Sequence, residues 1–442
     1  MTAAASILFA KRLIFPRTLK KSSARRSILG AVVCIAISIV PLTAVISVAD
    51  AMISGMTERL IGLSSLHLRA VVRRNTDAAA TLDGLAAYKT SLTSVNGVTN
   101  AFMEIDCDAL AAGKNYRTGA SVRAVEPDIF TRNAYFAKFI KTVDGTIEDF
   151  VNNPKSAVIG EKAANLLSVR AGDTVRLITT KRLPSGIIAP RLTSFTVAAV
   201  VSSGYQELDA LWFFIPIETG FSIIPKDSAI VSVMMECADA FSPSLYSVQS
   251  ECSSILNGEA TVFRWDELNA SQLENFSSTK LMLVFIMTLI VLVAAVNISS
   301  ALIMLVMERR REIAILKSLG GTPNGITLSF LLTGLAAGCA GLLIGLPFGL
   351  LVSVNINKII SFIENALNLI LKIVYIIGGG STGFDSFRLL NPDYYLTEIP
   401  VSVPFAELFF MCGAVMLLSL AVSILPAVKA GKENPLEIFR KS

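Results

Sequence analysis

The chain is 442 residues long, 53% hydrophobic and only 17% charged, with a formal net charge of +5 and a mean hydropathy of +0.61. This balance excludes an ordinary soluble domain and places the chain among membrane proteins. The basic surplus does not point to nucleic acid, because it separates by segment into basic and mildly acidic stretches.

Residues 1–26 hold seven Lys/Arg and no acid. Ile7–Phe15 mixes apolar and basic side chains ahead of Pro16, which suits either an anionic membrane surface or a plain basic flank that sets topology. A first span is expected over 27–50, where the charge-free run exceeds the roughly 20 helical residues needed to cross a bilayer. Ala49-Asp50-Ala51 offers a signal-cleavage-like site, but the apolar run before it is about twice the usual length, so the segment reads as a retained signal anchor.

Residues 51–279 are the one large folded domain, with 20 basic and 24 acidic residues. Alternating or β-branched runs at Ser156–Ile159, Thr174–Ile178, Phe195–Val201 and Ala229–Met235 predict strands. Helical patterns at Asp77–Thr90 and Gly160–Leu167 make the domain α+β. The stretch Lys181–Arg191 is punctuated by Pro and Gly and carries an apolar tip. It reads as a docking hairpin or as an ordinary long connection between strands.

A second span is expected over 280–307, a cytoplasmic element over 308–325, a third span over 326–354, an outer loop over 355–404, a fourth span over 405–428 and a tail over 429–442. Backbone amides in lipid must be satisfied within a segment, so the spans are helices. The basic stretches 1–26, 308–317 and 429–442 are placed inside and the acidic stretches 51–279 and 358–407 outside, with both termini cytoplasmic. The run 318–357 is read as one span, since a second would move the terminal lysines outside. Within the outer loop, Ile359–Ile377 carries Glu364, Asn365, Asn368 and Lys372 and is expected at the membrane interface. The predicted fold class is an α-helical membrane protein with four transmembrane helices and a large α+β extracytoplasmic domain between the first and second.

The third span carries Gly334, Gly338, Gly341, Gly345 and Gly349, two overlapping small-xxx-small registers that imply a tight helix interface, within the chain or between subunits. Of six cysteines, Cys34, Cys339 and Cys412 fall in spans and Cys107, Cys237 and Cys252 outside, without CxxC spacing; they read as small buried hydrophobes. The sole histidine, His67, has no metal-ligand neighbours at suitable spacing. There is no G-x-x-x-x-G-K-[ST] phosphate loop, and Gly378–Gly383 lacks the lysine. No catalytic, metal or cofactor residue is assigned, and any ATP must be bound by a partner.

Met307–Pro323 is the most informative segment. On a helix, Ile313, Leu316, Lys317 and Gly320 share a face, Arg309–Arg311 lie one to two turns earlier, and Gly320-Gly321-Thr322-Pro323 breaks the helix. Such an element can act as a lever for a partner's movement, or simply be a basic turn that fixes topology.

Together with Val293–Leu302, the segment Glu308–Thr322 resembles the signature of lipoprotein-releasing permeases of the LolC/LolE type, within the MacB/FtsX superfamily of ABC transporter subunits. Val158–Ala163 and Ala171–Val175 resemble the superfamily's outer domain. Tyr394–Val401 is similar to the tyrosine-rich strand before the fourth helix, and Leu425–Ala430 with Asn434–Arg440 to the family's C-terminal end. The resemblance covers essentially the whole chain, apart from about twenty extra residues, Leu367–Phe387, ahead of Tyr394.

The resemblance implies a non-catalytic subunit in the bacterial inner membrane, paired with a second permease, identical or homologous, and with a cytoplasmic ABC ATPase dimer resembling LolD. It implies lipoprotein cargo, a LolA-like periplasmic carrier and acyl chains entering between the first and second helices. By matched position, ATPase coupling falls to Arg310, Glu312, Ile313, Leu316, Lys317, Leu319 and Gly320. Carrier docking falls to Arg182, Leu183, Pro184, Ser185 and Gly186. Depth along the helices suggests Val45, Ile53, Phe285 and Leu289 for the acyl cavity. The alternatives within the superfamily are a MacB-like exporter of periplasmic substrates and an FtsX-like signalling subunit controlling cell-wall hydrolases.

Overall fold

The computed structural model describes residues 8, 23–114, 116–182, 188–377, 396 and 399–432. The chain divides into two compact units: Met1–Ala51 with Phe276–Phe387 and Ile399–Ser442, and Met52–Asn275 with Arg388–Glu398.

The first unit is built from α1 (Ser23–Leu60, its last turns belonging to the second unit), α2 (Ala270–Glu308), α3 (Arg310–Ser318), α4 (Pro323–Val354), α5 (Ile356–Ile377) and α6 (Phe405–Lys432). Among the described residues, α1, α2, α4 and α6 are the helices long and apolar enough to cross a membrane. Their shared core joins Ile35, Ile39 and Leu42 of α1 to Ile298, Leu302 and Leu305 of α2, Ile326 and Phe330 of α4, and Met411 and Val415 of α6.

The α4 glycines serve two neighbours. A methyl group added at Gly338 would stand 2.6 Å from Ser419 Oγ of α6, and one at Gly334 would collide with Ser423. The Ser419 hydroxyl donates to the Gly334 carbonyl at 3.0 Å. One turn on, the stripe turns to α1: a methyl at Gly345 would lie 2.8 Å from Ile39 Cβ, and one at Gly349 2.6 Å from Thr43 Cβ. The close approach is therefore made within one chain, which the spacing alone could not decide. Without a hydrophobic drive between helices in lipid, this packing has to supply the association.

The ends of α4 and α6 fix the path of the connection between them. Near the start of α4, Lys317 Nζ donates to the carbonyl of Gly431 on α6, and Gly431 packs on Pro323 and Thr327. At the far end, Asn357 donates through Nδ2 to the Ile399 carbonyl at 3.0 Å and accepts from the Ile399 amide at 3.3 Å. The helices run antiparallel, so the chain leaves α4 and re-enters α6 at the same end. Residues 323–354 are one helix.

The second unit is α+β. Among the described residues its ten strands are β1 (Leu68–Val72), β2 (Val98–Ala112), β3 (Arg117–Val125), β4 (Lys141–Gly145), β5 (Ser156–Gly160), β6 (Thr174–Arg182), β7 (Ile188–Ser202), β8 (Trp212–Pro216), β9 (Ile230–Cys237) and β10 (Ala260–Arg264). They order as β10-β1-β9-β2-β3-β8-β5-β7-β4, with β6 bridging β2 and β7. The β3–β8 and β5–β7 pairs are parallel and the others antiparallel. Side chains alternate between two cores: Met103 and Phe213 face one that includes Leu85 and Leu92, whereas Phe102 and Phe214 face an aromatic one with Phe130, Phe136 and Phe150.

A charged ladder crosses this sheet. Arg123 on β3 grips buried Glu104 on β2 through Nε and through Nη2 at 2.9 Å, and its Nη1 donates to the Leu63 carbonyl. Burial alone would raise the Glu104 carboxyl, but the Arg123 charge and hydrogen bonds, with Arg69, outweigh it and hold it below the usual range. Asp106, paired with Arg69, behaves oppositely: burial dominates and raises it to about 6. His67 is buried and structural. Its Nδ1 accepts from the Cys237 amide at 2.9 Å, which puts the proton of the neutral ring on Nε2, 2.8 Å from the Tyr135 hydroxyl.

Replacing Gly345 with leucine should cost about 1–3 kcal/mol through overpacking against Ile39. In detergent its thermal midpoint should fall several degrees. Gly413→Ala on α6, where a methyl meets nothing within 4 Å, should leave the midpoint unchanged.

Candidate functional site

Three features carry the functional argument. The first is α3, a foot set off from α2 by the break at Arg309, whose φ of −94° and ψ of 9° leave the helical region. Its end is a Schellman motif: the Gly321 amide donates to the Leu316 carbonyl at 2.9 Å and the Gly320 amide to the Lys317 carbonyl at 3.0 Å, with Gly320 at φ +89°. Thr322 then caps α4 and Pro323 takes its first turn. The Gly-Gly-Thr-Pro run is thus one stop signal followed by one start signal.

The foot has two faces. Ile313 and Ala314 are buried, Ile313 in the core beside Ile326 and Ala427. Leu316 and Lys317 are half-buried, and Lys317 reaches Gly431. The opposite face presents Ile315 at 46% and Leu319 at 80% exposure, one turn apart, with Glu312 held by Arg309 and Arg310 exposed nearby. Of the residues matched to coupling, Ile313, Leu316 and Lys317 therefore face inward, whereas Arg310, Glu312, Leu319 and Gly320 stay outward. Ile315, outside that set, shares the outward face with Leu319 four residues on.

The second feature is a groove of about 440 Å³ between α1, α2 and α6, lined by apolar side chains including Leu42, Ile46, Leu283, Met287, Phe410 and Met411. At one end the Lys280 ammonium of α2 stands 3.2 Å from Asp50 Oδ1 of α1 and 3.0 Å from Glu407 Oε1 of α6. One cation thus ties three helices at the charged border of the apolar segment. Val45, Phe285 and Leu289 are exposed and Ile53 is half-buried, and none of the four lines the groove.

The third feature is the β6–β7 ribbon, paired from Thr174↔Thr196 to Arg182↔Ile188. Among the described residues, β2 borders only Arg176–Ile178 and β5 only Thr196–Val201. The outer pairs, from Thr179↔Arg191 onward, form a two-stranded arm. Arg182 lies at its described end, while Leu183, Pro184, Ser185 and Gly186 fall outside the described residues. So do residues 394, 395, 397, 398 and 434–440, quoted above for the resemblance. Among the described residues there is no cluster of His, Cys, Asp or Glu that could hold a metal ion.

Two family models match complementary parts of the chain: the MacB-like periplasmic core domain over residues 28–245 and the FtsX-like permease C-terminal domain over 284–435. The chain belongs to the MacB/FtsX permeases of the LolC/LolE type. The lipoprotein-releasing system transmembrane protein LolC of Xylella fastidiosa is 26% identical to this permease over 78% of each chain. LolE of Haemophilus influenzae is 25% identical over 64% of each. The crystallised periplasmic region of MacB from Actinobacillus actinomycetemcomitans is 15% identical, with a TM-score of 0.31, covering 48% of the permease and 94% of that chain.

The Lys280 cluster predicts a non-additive pair of substitutions. Lys280→Met should lower stability in detergent by about 1 kcal/mol, and adding Glu407→Gln should cost less than the sum of the single changes, because the pair is already broken. A double-mutant cycle on thermal or denaturant midpoints checks this.

Proposed function

We propose that this permease is a subunit of an ABC transporter that releases lipoproteins from the bacterial inner membrane, driven by ATP hydrolysis in a partner. The carrying observation is the foot. An exposed apolar pair, Ile315 and Leu319, stands beside charged Glu312 and Arg310 on a short helix whose other face is locked into the membrane unit. An apolar centre with a charged rim suits a protein partner, and the locked face passes that partner's movement to α2, α4 and α6. In this reading the foot and both termini are cytoplasmic, the β-rich unit is periplasmic, and a second permease completes the transporter.

The groove supports the cargo assignment. Between Lys280 and Leu292, α2 rises about 18 Å, a length that suits a fatty acyl chain, and the lining is almost wholly apolar. The Lys280 cluster marks the headgroup level. The β6–β7 arm offers paired backbone for a soluble carrier.

Changing Glu312 to Lys, or Ile315 and Leu319 together to Asp, should abolish copurification with the ATPase while leaving the stability within about 1 kcal/mol of wild type, since these side chains are exposed. Ile313→Asp should instead unfold the foot, because it buries an unpaired charge. Retained copurification in the outward variants removes the coupling assignment. For the function as a whole, depletion should leave mature lipoproteins in the inner membrane on fractionation. Filamentation with normal lipoprotein sorting would favour a division role instead.

A further inference from the structure

We infer that α5 (Ile356–Ile377) lies in the plane of the bilayer, its apolar face sunk into the headgroup and upper acyl region at the end of the membrane unit where Lys280, Asp50 and Glu407 meet. This is a lipid-binding surface independent of cargo and of the ATPase.

Sequence geometry comes first. At 100° per residue, Asn357, Lys358, Ser361, Glu364, Asn365, Asn368 and Lys372 fall in one arc of about 120°, and the remaining arc is apolar. All three charged residues of the helix belong to the polar arc. A helix crossing the bilayer would carry Lys358, Glu364 and Lys372 through it at the cost of burying charge. A helix on a water-facing protein surface would expose far too much apolar side chain.

Placement comes second. Only Asn355 separates α4 from α5, and Asn357 is held by both backbone groups of Ile399, just before α6. The chain therefore leaves α4 and approaches α6 at one end of the membrane unit, and the first turn of α5 is held at that end. Much of the apolar arc is exposed among the described residues: Phe362 is 74% exposed, Leu369 61% and Ile370 57%, while Ile359, Ile360 and Leu367 are half-buried. It continues the exposed apolar belt of the spanning helices next to it, formed by Phe348, Leu351 and Val354 of α4 and Phe405 and Phe409 of α6. That belt faces lipid, so the occupant of its continuation is lipid as well. Helices of this type bury their apolar face about 5–10 Å deep at the interface.

The test uses the full-length permease in vesicles made with phospholipids brominated either near the headgroup or near the chain end. Phe362→Trp and Ile370→Trp place probes on the apolar arc, and Asn365→Trp places one on the polar arc. All three positions are exposed, and the native Trp212 and Trp265 of the parent set the baseline. The two apolar-arc probes should be quenched about two-fold more by the shallow bromines than by the deep ones, as expected for an in-plane helix. Asn365→Trp should stay at baseline with both lipids and be quenched by aqueous iodide. If neither lipid quenches the apolar-arc probes, protein covers this face, a second copy or another part of the chain, and the inference fails. If deep bromines quench best and Asn365→Trp responds too, the helix crosses the membrane and the inference also fails.

Discussion

The membrane unit depends on how closely α4 can be approached. Five glycines along one helix remove the side chains that would hold α1 and α6 away, and the stripe serves α6 at Gly334 and Gly338 and α1 at Gly341, Gly345 and Gly349. Dispersion falls steeply with separation, and in lipid no hydrophobic effect pushes apolar helices together. α4 therefore acts as the hub. The lock of Lys317 on Gly431 and the pairing of Asn357 with Ile399 then set its two ends.

This hub explains why a foot of only nine residues can matter. A short helix is marginal by itself, yet α3 is held at both ends: it follows the break at Arg309 and finishes in a glycine motif that hands directly to α4. Ile313 inserts among side chains of α4 and α6, so a push on Ile315 and Leu319 meets a packed interior. Close-packed interiors transmit displacement instead of absorbing it.

Much of this was legible in the residues, and the failures have a common cause. Charge-free runs bounded by Arg26, Lys280, Glu308 and Lys429 locate the long helices, because lipid penalises charge and unpaired backbone so heavily. Helical spacing finds the amphipathic foot, but periodicity defines a face without saying which way it looks: Ile313 is buried within the chain and Leu316 half-buried, while Ile315 and Leu319 look outward. The groove shows the same limit at finer scale: Val45, Phe285 and Leu289 are each one residue from a position that lines it, Ile46, Val284 and Thr288, and one residue is a 100° rotation. In the β-rich unit strands are readable at 156–159, 174–178, 195–201 and 229–235, but the β6–β7 pairing runs on to Arg182 and Ile188, into the stretch that reads as a connection. The long β2 is not readable, because Glu104, Asp106 and Asp108 interrupt its apolar pattern, and Glu104 is tolerated inside chiefly through Arg123, on another strand. Strand order follows from such non-local pairings and leaves no local trace.

The reach of Arg123 to the Leu63 carbonyl has a practical meaning for anyone dissecting this molecule. The guanidinium divides its donors between a carboxylate on β2 and a backbone oxygen in the π-helical turn Ile61–Ser65, and Leu63 and Leu66 belong to the aromatic core. A water-soluble excised fragment cut to begin at the first strand would lose a hydrogen-bond acceptor and two hydrophobic plugs at once. The natural excision point therefore lies upstream of Ile61, within the final turns of the preceding helix.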